Sequence, residues 1–340
     1  MKTVGPVQQN RRLRPSGLCW TPPVQALAEM SDAEVTAITV SHGRGGSLTR
    51  LIGALGTAAS DLIDRWVVVD DSPEPTDVER RFPDLPMRLV APGERVFISR
   101  AKNLGLREAT GRFVFFVDDD NVGDRSCLRG PLTKLLGNPS IGAVMPSVLY
   151  DRRPGTVWVY STPFRADRWG FELIGRNRPR DPALEGRELP TDALPNASLI
   201  RRGVLAEIGG LDESLPVNSS ADLCQRIQAR GLRTVADSSS FIRHDVEPPG
   251  KRGFWAEHSI DPDRLEREVA DWFVFHRRLH RGEPVLRAKA IYHAAPFLLA
   301  NELAFLLRTD APALRLTSRV VHGLARGLRP LPAASPGLTR

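Results

Sequence analysis

Three consecutive carboxylates, Asp118, Asp119 and Asp120, follow directly on the apolar run Phe113, Val114, Phe115, Phe116, Val117. A short β-branched and aromatic run, entered from Gly111 and left through acids, reads as a buried strand. Three carboxylates at one strand end repel one another, and this raises their pKa values unless a cation neutralises them. Oxygen ligands of this kind suit Mg2+ or Mn2+. In an open parallel sheet, strand carboxyl ends are also where ligands bind. The plainer use of the same residues is a polar loop that caps the next helix through Asp120 or Asp124.

Two further groups could share that chemistry. Asp70 and Asp71 close another apolar run, residues 66–69, and a paired acid there suits a ribose hydroxyl or a base N–H. The alternative is a turn, since Pro73 and Pro75 follow. Arg100, Asn103 and Arg107 fall at helical spacing on one face, just before the triple-acid strand. Arg100 would hold a diphosphate and Asn103 a carboxylate or base; a solvated helix face explains the same spacing.

The elements that carry these residues alternate. Residues 35–41 alternate as a first strand, followed by His42, Gly43, Arg44, Gly45 and Gly46 and then by a helical pattern from Ser47. Strand, glycine loop and helix present backbone N–H groups to an anion, although the glycines match neither the dinucleotide fingerprint nor a Walker loop. Strands at 66–69, 87–91, 113–117 and 141–149 and helices at 98–109 and 128–136 complete a β-α alternation, which argues a parallel α/β sheet. Residues 151–193 are rich in Arg, Pro and Gly with scattered Trp and Phe, and read as short hairpins and a loop facing an acceptor. A strand at 195–201, helices at 202–208 and 218–229, and short strands at 232–236 and 240–243 then lead to His244.

Composition narrows the class. The 340 residues carry a net charge of +7 and 41% hydrophobic residues, enough for a full core. A basic chain fits nucleic acid, an anionic membrane surface or a phosphate-bearing substrate, but no basic-aromatic repeat or zinc-finger spacing supports nucleic acid. Cys19, Cys127 and Cys224 form neither a metal motif nor a disulfide framework, which favours a reducing, cytoplasmic location. No signal peptide is evident, and no apolar run is long enough for a membrane span.

Taken in order, these residues resemble a family 2 glycosyltransferase of the GT-A fold. The resemblance covers roughly 35–245: the Asp70, Asp71 strand end, the Arg100, Asn103 helix, the Asp118 to Asp120 strand end, PNASLIRR with GGLDE at 209–213, and ADLCQRIQARGLR followed by His244. It implies an α/β, mostly parallel Rossmann-like sheet flanked by helices, over 34–250, with a nucleotide half at 34–150 and an acceptor half at 151–250. It also implies a nucleotide-sugar donor contacted by Asp70, Asp71, Arg100, Asn103, Asp118 and Asp119. Asp118 and Asp120 match the D-x-D motif that holds Mg2+ or Mn2+, and His244 matches a histidine that completes the metal site. Members of this type invert the anomeric centre, with a carboxylate taking the proton of the acceptor hydroxyl. The acceptor class stays open among a glycan, a lipid-linked sugar and a small natural product.

The chain departs from the family at that base. The usual Glu-Asp pair before the DLC helix is Ser219, Ser220 here, and the segment from Asp212 to Asp222 is one residue shorter than usual. Asp222 is the acid left in that helix and the first choice for the base, but Arg226, four residues on, would equally pair with it; Asp212 and Glu213 are the other choices. Two alternatives remain. One is a degenerate relative that binds a nucleotide-sugar or a partner without turnover. The other is phosphoryl transfer, which lacks a nucleophilic Asp at the first strand, where Ser41 and His42 stand.

Outside the core, residues 1–33 read as a mobile leader and 330–340 as a disordered tail. Residues 251–329 read as a helical extension. The stretch after 284 joins apolar helical segments to Arg308, Arg315, Arg319, Arg326 and Arg329. That suits peripheral contact with an anionic membrane, a partner surface, or packing on the catalytic domain.

Overall fold

The structure is a computed structural model and describes residues 35–165, 170–217, 219–246, 262–279 and 313–328. The leader at 1–33, the tail at 330–340 and the stretch 280–312 lie outside the described residues.

The alternating first half forms as its pattern predicts. Strands β1 (Val35–Ser41), β2 (Ile63–Asp70), β3 (Met87–Val90) and β4 (Phe113–Val117) pair in parallel in the order β3-β2-β1-β4. Their runs are nearly unbroken Val, Ile and Phe because helices cover both faces of a parallel sheet. Helix α1 (Gly45–Leu51) follows β1 and runs on as a wider turn through Gly56. The short helix α2 (Val78–Arg81) precedes β3, and helix α3 (Phe97–Arg107) leads into β4.

The second half extends the same sheet. Strand β5 (Asn121–Val122) is followed by helix α4 (Arg125–Gly137), capped by Asp124, whose carboxylate accepts the Ser126 N–H at 2.8 Å. Then come β6 (Ile141–Tyr150), β7 (Arg153–Val159), the small hairpin β8 (Phe164–Arg165) with β9 (Gly170–Phe171), β10 (Glu188–Pro190) and β11 (Ala197–Arg201). Helices α5 (Arg202–Ile208) and α6 (Ser219–Gln228) precede β12 (Arg233–His244). The full path is β10-β12-β6-β11-β4-β1-β2-β3, with β7 on β6 and β5 on β12. Strand β11 runs antiparallel between β4 and β6, while β12 runs parallel to β6, so the ten-stranded sheet is mixed, with its parallel block at β4-β1-β2-β3.

One boundary differs from the sequence reading. The strands read at 232–236 and 240–243 are one strand, β12, which starts at Arg233 and keeps pairing with β6 across a register break between Asp237 and Phe241. The extra residues are Ser238, Ser239 and Ser240. Fully buried Asp237 accepts hydrogen bonds from Ser239 N (3.1 Å), Ser239 Oγ (2.6 Å) and Ser240 Oγ (2.6 Å), so local polar bonds replace the ladder.

Helix α3 is pressed onto the sheet through a glycine. A Cβ at Gly105 would lie 2.5 Å from Ile38 Cγ2 and 3.3 Å from Val69 Cγ2, and both neighbours are fully buried. Gly105→Ala is therefore expected to destabilise the fold by about 1–3 kcal/mol through overpacking, less the ~1 kcal/mol helix-propensity gain. A lower urea midpoint at unchanged m-value would show it, and an unshifted midpoint would refute the close approach.

Two helices follow the sheet. Helix α7 (Pro262–Leu279) docks on the loop before α6, where Asp271 accepts the Val217 N–H at 2.8 Å and Arg278 Nη1 lies 2.6 Å from Asp212 Oδ2. Helix α8 (Ala313–Gly327) packs on α7 through Gly323 and Gly327. Arg319 and Arg326 both pair with Glu266 of α7, at 2.9 and 3.3 Å, so two of the cations expected on an anionic surface are engaged within the fold. Among the described residues, no helix is long and apolar enough to cross a membrane.

Candidate active site

A cleft of about 520 Å3 opens where the carboxyl ends of β1, β2 and β4 meet the start of α6 and the end of β12. Its walls include His42, Arg44, Asp71, Lys102, Asp118, Asp119, Asp120, Trp158, Ser219, Ser220 and His244. The triple-acid strand end thus faces a cavity, as expected, rather than only capping a helix.

The local fold explains how Asp120 meets His244, more than a hundred residues away. The backbone turns sharply after β4: Asn121 N and Nδ2 both donate to the Asp118 carbonyl, at 3.2 and 3.0 Å. Strand β5 then pairs antiparallel with the end of β12, setting His244 opposite Asn121. Asp245 N donates to the Asp120 carbonyl at 2.8 Å and fixes the pairing. His244 Nε2 lies 3.4 Å from Asp120 Oδ1. From the other side Asn196, held at φ +64 in a left-handed conformation that Asn tolerates, accepts the Asp118 N–H through its carbonyl at 2.8 Å.

The three acids have separate environments. Asp118 is the most exposed and pairs with Lys102 Nζ at 3.3 Å. Asp119 is buried and accepts Ser41 Oγ at 2.9 Å. Burial and the neighbouring Asp120 push the Asp119 carboxyl up to about 7, against the pull of Arg44. Burial also acts to raise Asp120, but His244 and Arg44 overcome it and hold the carboxyl at about 2. The Arg44 guanidinium lies 2.8 Å from Asp120 Oδ2 and 3.4 Å from Asp119 Oδ1.

A pH dependence follows from Asp119. Its folded pKa lies above the unfolded value, so the folded chain binds the extra proton between the two. The stability it contributes is full below pH ~4 and is lost as pH rises through ~7. Melting temperatures in EDTA from pH 5 to 8 should therefore fall less in Asp119→Asn than in the unsubstituted protein. Parallel curves would remove the shift.

Asp71 is placed as expected, at the cleft. Its Oδ1 lies 2.8 Å from His42 Nδ1, and its Oδ2 accepts the N–H groups of Val96 and Phe97 at 2.9 and 3.1 Å. Those donors are the unsatisfied N–H groups at the start of α3. Phe97 sits at φ +59, an outlier for a bulky residue, and the Asp71 bonds help hold it there.

Asp70 points elsewhere. It is fully buried and accepts Ser72 N (3.1 Å), Ser72 Oγ (2.6 Å), Thr76 N (2.8 Å) and Thr76 Oγ1 (3.1 Å), so it organises its own loop and stands outside the cleft lining.

Three more of the expected residues lie outside the cleft lining. Arg100 faces away from the cleft and pairs with Glu94 at 3.1 Å; Lys102, two residues on, turns into it. Asn103 is buried and clamps the 209–213 loop: Nδ2 donates to the Leu211 carbonyl and Glu213 Oε1, and Oδ1 accepts the Leu211 N–H, each at 2.9 Å. Asp222 accepts Arg226 Nε at 2.7 Å and lies 3.6 Å from Arg278, outside the cleft lining. Asp212 is held by Arg278 and Ser214 N, and Glu213 by Asn103, so neither faces the cleft. Ser219 and Ser220 line the wall where the resemblance would put an acid pair, and Ser219 Oγ takes the Ser99 hydroxyl at 2.8 Å. Among the described residues, the carboxylates lining the cleft are Asp71, Asp118, Asp119 and Asp120.

His42, Lys102 and Trp158 had no role in the sequence reading. A usable signal existed for the first two: His42 opens the glycine loop after β1, and Lys102 shares the helix chosen for Arg100. Trp158 sits edge-on to His244 with ring centroids 5.2 Å apart, a contact that only the folded β7 creates.

A mixed sheet whose parallel block β4-β1-β2-β3 is bordered by antiparallel β11, with acids from two parallel strand ends in one cleft, is the architecture of the GT-A transferases. The family model for glycosyl transferase family 2 matches residues 36–209, half of the chain, and the chain belongs to that family. Over 151 residues it is 28% identical to the pre-mycofactocin glycosyltransferase of Mycobacterium tuberculosis; the match covers 43% of this chain and 29% of the relative, less than a third of its length. Two solved structures share the fold. A mannosyltransferase from Pyrobaculum calidifontis, in complex with GDP-Man and Mn2+, superposes with a TM-score of 0.51 at 18% identity over 87% of both chains. GalNAc-T7 with UDP, GalNAc and Mn2+ gives 0.51 at 12% identity over 74% of this chain and 52% of its own.

Proposed function

We propose that the chain transfers a sugar from a nucleotide-sugar donor to an acceptor hydroxyl, with Mg2+ or Mn2+ at Asp120 and with inversion at the anomeric carbon. The observation that carries this is Asp120 at the β4 end, its carboxylate 3.4 Å from His244 Nε2 and facing a cleft of nucleotide size. Family membership and two neighbours solved with nucleotides and Mn2+ support it.

The residues fit a divalent ion bound together with its substrate. Among the described residues, no three His, Cys, Asp or Glu side chains converge as a complete metal site. Magnesium-type ions commonly take one or two carboxylates and fill the remaining positions with phosphate oxygens and water. Asp120 is such a carboxylate, with Asp118 and His244 beside it. The His244 Nδ1 is buried with no hydrogen-bond partner, which marks a ring with unused donor capacity at this spot. When bound, the ion would stabilise charge developing on the leaving diphosphate.

The other residues have roles of their own. Arg44 and Lys102 supply positive charge along the phosphate path. Asp71 and His42 lie at the β1–β2 end, where a nucleoside would sit, with His42 oriented by the Asp71 carboxylate. Trp158 lines the cleft beside His244, with the Arg176 guanidinium 4.4 Å over one ring face, so a sugar would meet its remaining side.

A second reading, donor binding without turnover, draws on one observation: Ser219 and Ser220 line the acceptor wall while Asp222, Asp212 and Glu213 are all engaged elsewhere. One experiment separates the two. Thermal shifts with UDP, GDP and dTDP, with Mn2+ and with EDTA, find the nucleotide, because binding stabilises by mass action. Nucleotide release from the matching sugar donors is then followed, and NMR reads the product anomer. Release with an inverted product supports transfer. Mn2+-dependent binding with no release from any donor supports the second reading, and equal shifts in EDTA and Mn2+ remove the metal role.

A further inference from the structure

The cleft carries a positive charge of its own where a divalent ion is needed. Arg44 Nη1 lies 2.8 Å from Asp120 Oδ2 and 3.4 Å from Asp119 Oδ1. The other Asp120 oxygen faces His244 at 3.4 Å, so both oxygens of the principal metal ligand already have partners. Arg44 is the residue between Gly43 and Gly45 in the loop from β1 to α1. Gly43 has φ +67 and a Cβ there would meet no atom within 4 Å, whereas a Cβ at Gly45 would lie 2.9 Å from Thr76 Cγ2. The backbone is therefore held on the α1 side of Arg44, while the Arg44 side chain itself is 39% exposed and has room to swing.

We propose that Arg44 is an internal counter-cation, which competes with the divalent ion for Asp120 and passes to the donor diphosphate when ion and nucleotide bind together. The inference rests on the metal-dependent reading above and adds an order to it. A guanidinium and a divalent ion on one carboxylate repel at contact distance, most strongly in a partly desolvated site. An ion arriving alone has to displace Arg44 and leaves the guanidinium without its carboxylates. An ion arriving with a diphosphate gives Arg44 a new anion, and a planar fork suits two phosphate oxygens. Each ligand thus removes an obstacle to the other, and such coupling is reciprocal.

The test is Mn2+ affinity, read by electron paramagnetic resonance on the full chain. It is measured first with Mn2+ alone and then with whichever of UDP, GDP or dTDP stabilises the protein. The unsubstituted protein should bind Mn2+ alone weakly and at least tenfold more tightly with nucleotide. Arg44→Ala should bind Mn2+ alone about tenfold more tightly than the unsubstituted protein, with most of the nucleotide effect gone, within the usual 5–150-fold span of such couplings. Arg44→Lys, which keeps the charge and loses the fork, should fall between. Arg95→Ala removes another cleft arginine, one stacked 4.5 Å over Phe97, and should leave Mn2+-alone affinity within about threefold. Equal tightening by Arg95→Ala would make the effect one of bulk charge and overturn the proposal. So would unchanged Mn2+-alone affinity in Arg44→Ala while nucleotide still tightens Mn2+ binding; the metal reading would then stand. Absence of Mn2+ binding in the unsubstituted protein with every nucleotide would overturn both.

Discussion

Asp120→Ala is expected to abolish the Mn2+-dependent part of nucleotide binding and to lower affinity in the presence of Mn2+ by about 10²-fold or more, since even partners of metal ligands are worth 10–100-fold. The argument is one of geometry. Asp120 is the acid that meets His244, and its carboxyl stays ionised, at about 2, despite partial burial. Asp118 is half exposed and tied to Lys102, and Asp119 is tied to Ser41, so neither replaces it. The fold should survive. The backbone bonds that shape the turn run from Asn121 and Asp245 and do not involve the Asp120 side chain. Removing one acid also relieves Asp119, so the melting temperature at pH 8 should hold or rise. Calorimetry with the best nucleotide in Mn2+ and in EDTA checks both parts. Full affinity in Mn2+ would move the ion away from Asp120.

The elements that position this site were legible because their signals are local. The apolar run of β4 with acids at its end, and the strand, glycine loop and helix after β1, are each visible within a dozen residues. Side-chain direction at the site was not local. Asp70 and Asp71 are neighbours of one type, and their fates part because Ser72 and Thr76 wrap Asp70 while the start of α3 takes Asp71. Asn103 has the right type for a ligand contact, but its partner is Leu211, 108 residues away across the fold. Arg100 and Lys102 show a register problem: charged residues on an amphipathic helix lie on both edges of its buried stripe, and only docking on the sheet decides which edge borders the cleft. Arg44 was visible as a cation in a glycine loop, yet its place on Asp120 depends on β1 and β4 lying side by side, a pairing between residues far apart in sequence.

The acceptor side shows the same limit, and Asp222 carries the second large effect. On α6 the cleft is faced by Ser219, Ser220 and Leu223, and Asp222 lies about 100° round the helix from the centre of that face. The shortened segment before α6 does not rotate Asp222 into the cleft. Instead, Arg226 binds Asp222 and also donates to the carbonyls of Ile208 and Gly210, at 2.9 and 2.7 Å, so the pair pins the 208–210 turn to the helix. Asp222→Asn therefore leaves a largely buried guanidinium facing a neutral amide. Breaking a fully buried pair costs about 3–5 kcal/mol; the partial exposure of Arg226 and the oxygen kept by Asn reduce this to about 1–3 kcal/mol. At about 2–4 °C per kcal/mol, the melting temperature should fall by several degrees. Turnover below that temperature should stay within a few-fold, because a residue outside the cleft cannot take a proton from an acceptor held within it. A rate loss of about 10²–10⁴ at unchanged stability, the range for a lost general base, would make Asp222 the proton acceptor and show that α6 turns when the acceptor binds.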